Sequence, residues 1–467
     1  MEVGTAGSGA GKSRAVAVPK APRLMMLHAL AAGLDFDRYF RWRRTREGDP
    51  FFVRFPGFGS ALFTGTAEGA RELFRAPVDA TAPPRPNPIE PLVGTASLIL
   101  TAGERHRRDR ALLAPAFHGA RIREYGAIIQ DSVHQELAGD TGRAWRPGTR
   151  IDARAATRAI TLRVILTAVF GVDSPARRAE YTDAVGEFLA TFSGPLMLVP
   201  VLRHGLFGHA PWDRFVAARA RLDRLILDDI ARRKAGPPTT DILGTLLSTH
   251  YDDGTPITDD DLCDQLRTLL VAGHETTATT LVWALFQLHR APDTLARLRA
   301  ELRAAGPDAA PVELAALPYL DAVCQETLRL HPPVPIVVRR LNAPFTLRGV
   351  ALAPGDTMGV AVPLLHSDPQ VWSEPERFRP ERFIERKYRP FEFAPFGGGH
   401  RRCVGAALAD YELRIALATI VNRVRLRLAP RYANGRTPMS VPHNIATGPH
   451  RPIPFDVLSD LRHEGVW

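Results

Sequence analysis

Phe396-Gly-Gly-Gly-His-Arg-Arg-Cys-Val-Gly405 decides how this chain is read. It sets one cysteine, Cys403, where a glycine-rich loop hands over to a helix. Consecutive glycines allow backbone conformations closed to residues with a Cβ and let a flat ligand come close to the chain. Ala406, Ala407, Leu408, Tyr411, Leu413, Ile415, Ala416 and Ile420 then recur at helical spacing, which predicts an apolar face through about Val424. The partial positive charge of a helix N-terminus favours a thiolate over a thiol. Arg401 and Arg402 act in the same direction. Cys403 is therefore either a metal-holding thiolate or a buried structural thiol, the commoner fate of a free cysteine.

The rest of the chain bounds the choice. Its 467 residues, 45% of them hydrophobic, can bury a large core. Length alone suggests about three domains, but no hinge-like run of Gly, Pro or Ser and no fixed-period repeat supports a division. Cys263, Cys324 and Cys403 make an odd count at distant positions, which speaks against a disulfide framework and for a reducing cytoplasm. Cys263 and Cys324 are expected to be packed thiols. No apolar run approaches the roughly 20 residues that span a bilayer, and no secretory signal opens the chain. Residues 1–23, small, polar and basic, are expected to be poorly ordered. Their Ala6-x-x-x-x-Gly11-Lys12-Ser13 is a loosened phosphate-loop pattern with no strand before it, so no nucleotide site is expected.

Helical spacing covers Ala153 to Phe170, Arg214 to Arg233, Asp259 to Arg290 and Asp293 to Ala304. Strand signals lie at Phe51 to Phe55, Ala61 to Thr64, Pro344 to Leu347, Thr357 to Val362, Val424 to Leu428 and Ile453 to Val457, with Pro56 and Gly57 turning the first pair. The helix from Asp259, capped by Thr258 and stopped by Pro292, should run for roughly 32 residues or about 48 Å. It is apolar nearly all round, the mark of a buried helix. Ala272-Gly-His-Glu-Thr-Thr277 interrupts it. Unpartnered polar groups there would be costly, so a functional reason is favoured over local bonding alone. The Thr276 hydroxyl is expected to bond a carbonyl four residues back and open the helix locally, with Glu275 beside it to carry protons. His274-Glu275 also starts a His-Glu-x-x-His zinc pattern, but Ala278 stands where the second histidine would be.

Phe396, Gly399, Arg401, Cys403 and Gly405 fill a Phe-x-x-Gly-x-Arg-x-Cys-x-Gly pattern that resembles the heme-binding loop of the cytochrome P-450 family. The resemblance runs from about Phe36 to the end, with further motifs in family order. It implies a mainly α fold with a small β region, a triangular helical prism holding one noncovalent heme b between the long central helix and the cysteine-loop helix. Cys403 would be the axial thiolate, which donates electron density to the iron. Phe396 would pack against the sulfur. Glu275 and Thr276 resemble the family's acid-alcohol pair beside the dioxygen site. His106 and Arg110, four apart on a helix that Thr101 and Glu104 should cap, resemble a propionate contact. Arg339 and Arg401 fall at the other propionate positions, with Arg340 a less favoured occupant of the first. Glu326-Thr-Leu-Arg329 resembles the Glu-x-x-Arg brace, with Arg377 of the Pro375-Glu-Arg-Phe378 segment as its third member.

The implied activity is monooxygenation: one dioxygen atom enters an apolar substrate and the other leaves as water. Rivals are a peroxide-using enzyme of the same fold and a noncatalytic heme sensor, neither with evident need of an acid-alcohol pair. A catalytic domain is expected over residues 24–467, monomeric, with no nucleic-acid partner. Electrons would come from a ferredoxin and its reductase. The net charge of +10, with Arg379, Arg382, Arg386, Lys387, Arg389, Arg401 and Arg402 near the loop, predicts that the ferredoxin is acidic. Ala76 to Pro91 and Ser193 to Trp212 read as lids over a large hydrophobic substrate such as a fatty acid, terpenoid, steroid or polyketide, with Val441 to Pro449 as a further wall.

Overall fold

The structure, a computed structural model, describes residues 28, 31–32, 34–55, 59–140, 142, 144–192, 196–197, 202–206 and 208–460. The segment 1–23 with its phosphate-loop pattern lies outside these, as do Pro56, Gly57 and, from the second lid, Leu198, Val199, Val201 and Phe207.

Asp259–Arg290 forms one helix over its whole predicted length. Thr258 caps it, accepting from the Asp261 amide at 3.2 Å. From Leu262 to Leu288 nearly every side chain is buried, so the helix is the axis of the largest apolar cluster. It packs against the helices Ala153–Phe170, Pro318–Leu330 and Ala406–Arg423. Gly273 has a packing reason as well as any functional one. A Cβ there would stand 2.7 Å from Ile165 Cδ1 of the Ala153–Phe170 helix, so the glycine lets two core helices cross closely. The local opening expected at Thr276 is not seen, and the helix continues without a break. Farther along, Trp283 stacks on His331 at 3.9 Å, fixing the end of Pro318–Leu330 against the long helix.

The β region is small. Strands β1 (Phe51–Phe55), β2 (Gly59–Thr64), β3 (Thr81–Ala82), β4 (Ile336–Leu341) and β5 (Thr357–Ala361) form one sheet in the order β1-β2-β5-β4-β3. β2 and β5 pair in parallel, Ala61 opposite Thr357; the other neighbours are antiparallel. The predicted strands at 344, 424 and 453 appear as Phe345–Leu347, Val424–Leu428 and Pro454–Asp460. Sequence reading missed β4, whose Ile-Val-Val-Arg-Arg-Leu does not alternate, and the two- to four-residue strands β3, Arg150–Asp152, Val350–Leu352 and the hairpin Ser440–His443 with Ala446–Pro449. Among the described residues no single helix is long and apolar enough to cross a membrane.

Candidate active site

The loop around Cys403 is held by its backbone. Cys403 N–H donates to the Phe396 carbonyl at 3.0 Å, closing the turn. Gly397 and Gly399 have φ of +67° and +68°, the left-handed region that favours glycine. The glycines also meet a tight neighbour. A Cβ on Gly398 would lie 2.5 Å from the Phe74 ring, and one on Gly399 2.2 Å from the Phe74 carbonyl. Close approach of the chain is real, but at these two positions it is to Phe74. The following helix starts at Ala406 with Gly405 as its cap, so Cys403 stands just ahead of it.

Cys403 keeps exposed surface, whereas Cys263 and Cys324 are buried. Burial still pushes the Cys403 thiol up, opposed by the Gly405 amide, Arg402 and Arg110. Cys403 thus keeps accessible surface within a densely packed surround. The other two thiols are inert by the same measure. Burial drives Cys263 up to about 12 and Cys324 well above its ordinary value.

Near Cys403 the fold gathers basic groups from three distant segments: His106 and Arg110 on the helix Gly103–Leu113, Arg339 on β4, and His400 and Arg401 of the loop. His106 and His400 meet edge to face at 6.0 Å. Strand alternation decides between the two candidate arginines, since successive residues face opposite ways: Arg339 is buried and Arg340 exposed. Burial and then the neighbouring cations lower His106 to about 3, His400 to about 4, Arg339 to about 9 and Arg401 to about 10. No carboxylate offsets His106, Arg110, Arg339 or Arg401 among the described residues; Asp79 acts weakly on His400. Arg339 spends one N–H on the Val338 carbonyl at 2.9 Å, and Arg401 donates to the Ile99 and Thr101 carbonyls. Thr101 Oγ1, His400 Nε2 and Arg401 Nε are buried without a partner. Thr101 therefore does not cap the helix as predicted; Ala102 takes that position with no side-chain bond. Arg110, Arg339 and Arg401, without carboxylate partners among the described residues, and the neutral ring donors His106 and His400 beside the Cys403 thiol fit an anionic group carrying a soft-ligand metal.

On the long helix, Thr276 Oγ1 donates to the Ala272 carbonyl at 2.8 Å, the predicted bond. Glu275 is 1% exposed and is gripped from two sides, by Arg158 of the Ala153–Phe170 helix and by His274 Nε2 at 3.3 Å. Burial alone would raise its carboxyl, but His274 and Arg158 outweigh that and hold it down to about 2. Arg158 itself is about one-third exposed. Neither partner was singled out from sequence: Arg158 is far off in the chain, and His274 was weighed only as a zinc ligand.

The brace differs from expectation in one member. Arg329 clasps Glu326 through two bonds of 2.7 and 2.8 Å. The third side chain is Arg382, whose Nε reaches Glu326 at 3.0 Å. Arg377 points outward to Glu374 at 3.1 Å and offers the brace only its carbonyl, which accepts from Arg329 and Arg382. Arg329 also donates to the His366 and Pro375 carbonyls, each at 2.8 Å. His366 completes the link: Nδ1 donates to the Arg329 carbonyl at 3.2 Å and Nε2 accepts from the Ala394 amide at 2.9 Å. The brace thereby ends two residues before Phe396.

Comparison with known proteins agrees with this architecture. The family model "Cytochrome P450" matches residues 18–449. Cytochrome P450 135B1 of Mycobacterium bovis is 34% identical over 409 residues, covering 86% of this chain and 82% of the relative. Cytochrome P450 135A1 of Mycobacterium tuberculosis is 32% identical over 455 residues, covering 96% and 97%. The solved structure of retinoic acid-bound cyanobacterial CYP120A1 superposes with a TM-score of 0.80 at 26% identity, covering 92% of this chain and 96% of that one.

Proposed function

Because this chain belongs to the cytochrome P450 family, heme-thiolate monooxygenases carrying heme b, we propose that Cys403 holds the iron while His106, Arg110, Arg339 and Arg401 hold the propionates. The observation that carries this is the gathering of Arg110, Arg339, Arg401 and His106 beside the Cys403 thiol, without carboxylate partners among the described residues. When bound, heme supplies the iron that activates dioxygen. Phe396 and Gly405 complete the loop, and Glu326, Arg329 and Arg382 fix its approach. Thr276 and Glu275 handle protons. Glu275 is a carboxylate at neutral pH, so it moves a proton only when its Arg158 contact loosens. Arg158, one-third exposed, connects that carboxylate with solvent. The pair supports dioxygen rather than peroxide as the oxidant. Glu275→Gln should lower turnover roughly 100-fold, the scale of a lost proton-transfer group, with the reduced carbon monoxide spectrum unchanged. Unaltered turnover would remove Glu275 from the proton path.

The substrate is proposed to be a fairly large hydrophobic molecule such as a fatty acid, terpenoid, steroid or polyketide. Arg203 ties the two expected lids together, donating to the Pro88 carbonyl at 3.1 Å and to the Leu196 and Met197 carbonyls at 2.8 Å. The apolar Ile89, Leu92, Val93, Leu196 and Met197 lie behind that clasp, against the core. The hairpin Ser440–His443 with Ala446–Pro449 comes against the long helix, where a Cβ on Gly448 would stand 3.0 Å from Thr279. Retinoic acid, bound to the structural relative, is a molecule of this apolar class. Ligands of this kind should shift the heme spin state at micromolar concentration; a preference for small charged ligands would refute the assignment.

Electrons are proposed to arrive from a ferredoxin and its reductase. The basic face is narrower than the sequence suggests. Arg382 and Arg401 are turned inward, while Arg379 and Arg386 pair with Glu385 and Glu392. Lys387, Arg389 and Arg402 remain exposed, and Arg402 adjoins Cys403. Reduction by an acidic ferredoxin should slow severalfold between about 0.05 and 0.5 M salt as screening shortens the reach of these charges; insensitivity to salt would sink the docking assignment. Residues 24–467 are proposed to form one catalytic domain, working as a monomer in the cytoplasm.

A further inference from the structure

We propose that a cationic cleft whose lining shares no residue with the Cys403 loop binds a phosphate-bearing ligand. The cleft has a volume of about 510 Å³ and lies between the helix Phe36–Glu47 and the segment that follows Val424–Leu428. Arg38, Arg431, Arg436 and Arg451 line it, brought together from separate stretches of chain. All four residues are exposed, and no ion pair with a carboxylate is found for any of them among the described residues. Asp35 is the one carboxylate in the lining, and its oxygen is already committed to the Arg38 amide at 3.0 Å as a helix cap.

Two further polar groups belong to the lining. His450 Nδ1 is buried in the lining without a partner. Thr437, also in the lining, accepts from Arg290 at 3.1 Å and keeps its own O–H as a donor. Four like charges held in a concave, partly apolar surround focus a positive potential. Guanidinium forks match phosphate oxygens two at a time, which an isolated carboxylate would use less fully. Tyr432, Pro438 and Met439 give the cleft an apolar side. The basic N-terminal stretch, with Lys12, Arg14, Lys20 and Arg23, has the wrong sign to fill it.

The test uses the full-length heme-loaded protein and isothermal titration calorimetry with inorganic pyrophosphate. A parallel arm measures co-sedimentation with phosphatidylglycerol vesicles against phosphatidylcholine vesicles, which separates a free phosphate compound from a lipid headgroup. Saturable binding in either arm is expected, weakened at least tenfold in Arg431→Gln/Arg436→Gln. The control Arg214→Gln/Arg224→Gln loses the same charge from an exposed helix face and should bind like the unaltered protein. An unchanged reduced carbon monoxide spectrum certifies that each variant is folded. Absence of binding in both arms, or equal weakening in the control, would overturn the cleft as a phosphate site.

Discussion

Replacing Cys403 by serine should abolish the strongly red-shifted Soret band of the reduced, carbon monoxide-bound protein and lower oxygen-dependent turnover on the order of a thousandfold. A thiolate donates electron density that an alcohol at the same position cannot, and that donation drives dioxygen cleavage. The protein prepares the thiolate with local groups: the Gly405 amide, Arg402 and Arg110 each favour the charged sulfur against the burial that opposes it. Because the loop is closed through the Cys403 amide and the Phe396 carbonyl, serine should fold into the same turn. The cationic cluster is also untouched, so the variant should still take up heme. Loss of the band with heme retained separates ligation from folding. An unshifted band in the unaltered protein, after careful reduction, would instead overturn Cys403 as the ligand.

The second large effect concerns the brace. Arg382→Ala should destabilise the protein by about 3–5 kcal/mol, the usual consequence of breaking a buried ionic group by removing one member. Glu326, Arg329 and Arg382 are 0%, 1% and 2% exposed, so no water replaces the lost contact. Arg382 also donates to the Ser373 carbonyl at 3.0 Å, which would be left short of a donor. Arg377→Ala should change stability by no more than about 0.5 kcal/mol, since its side chain makes only an exposed pair with Glu374. Urea midpoints of the two heme-loaded variants compare them directly. A larger loss from Arg377→Ala would reverse the assignment of the third brace residue.

That reversal of roles shows where a linear reading fails. Arg377 lies in an irregular stretch and Arg382, five residues on, opens the one-turn helix Arg382–Glu385, so no shared periodicity says which turns inward. The chain path around Pro375 and Pro380 does, by placing the Arg377 carbonyl rather than its guanidinium against Arg329. Arg339 and Arg340 pose the same question with a different answer. They sit in a strand, and once β4 is recognised the two-residue alternation allows one of them inside. Thr101 shows a third kind of miss. Its spacing to Glu104 suits a cap, yet its carbonyl is taken by Arg401 and the helix starts one residue later.

The amino-acid sequence by itself determined the long helix Asp259–Arg290, the thiol on its glycine loop, the Thr276 bond to the Ala272 carbonyl and the pairing of Glu326 with Arg329. Each rests on local geometry, a helical repeat or a spacing of three or four residues, which the chain specifies without knowing its neighbours. Tertiary structure alone decided the partners that arrive from elsewhere: Arg158 on Glu275, Arg382 on Glu326, His400 beside His106 and Phe74 beneath the glycines. It also decided protonation. Glu275 is a carboxylate because His274 and Arg158 are folded against it, and among the described residues His106, Arg110, Arg339 and Arg401 near Cys403 have no carboxylate folded against them. Charge in a low-dielectric interior depends on what surrounds it in space, and sequence distance carries almost none of that information.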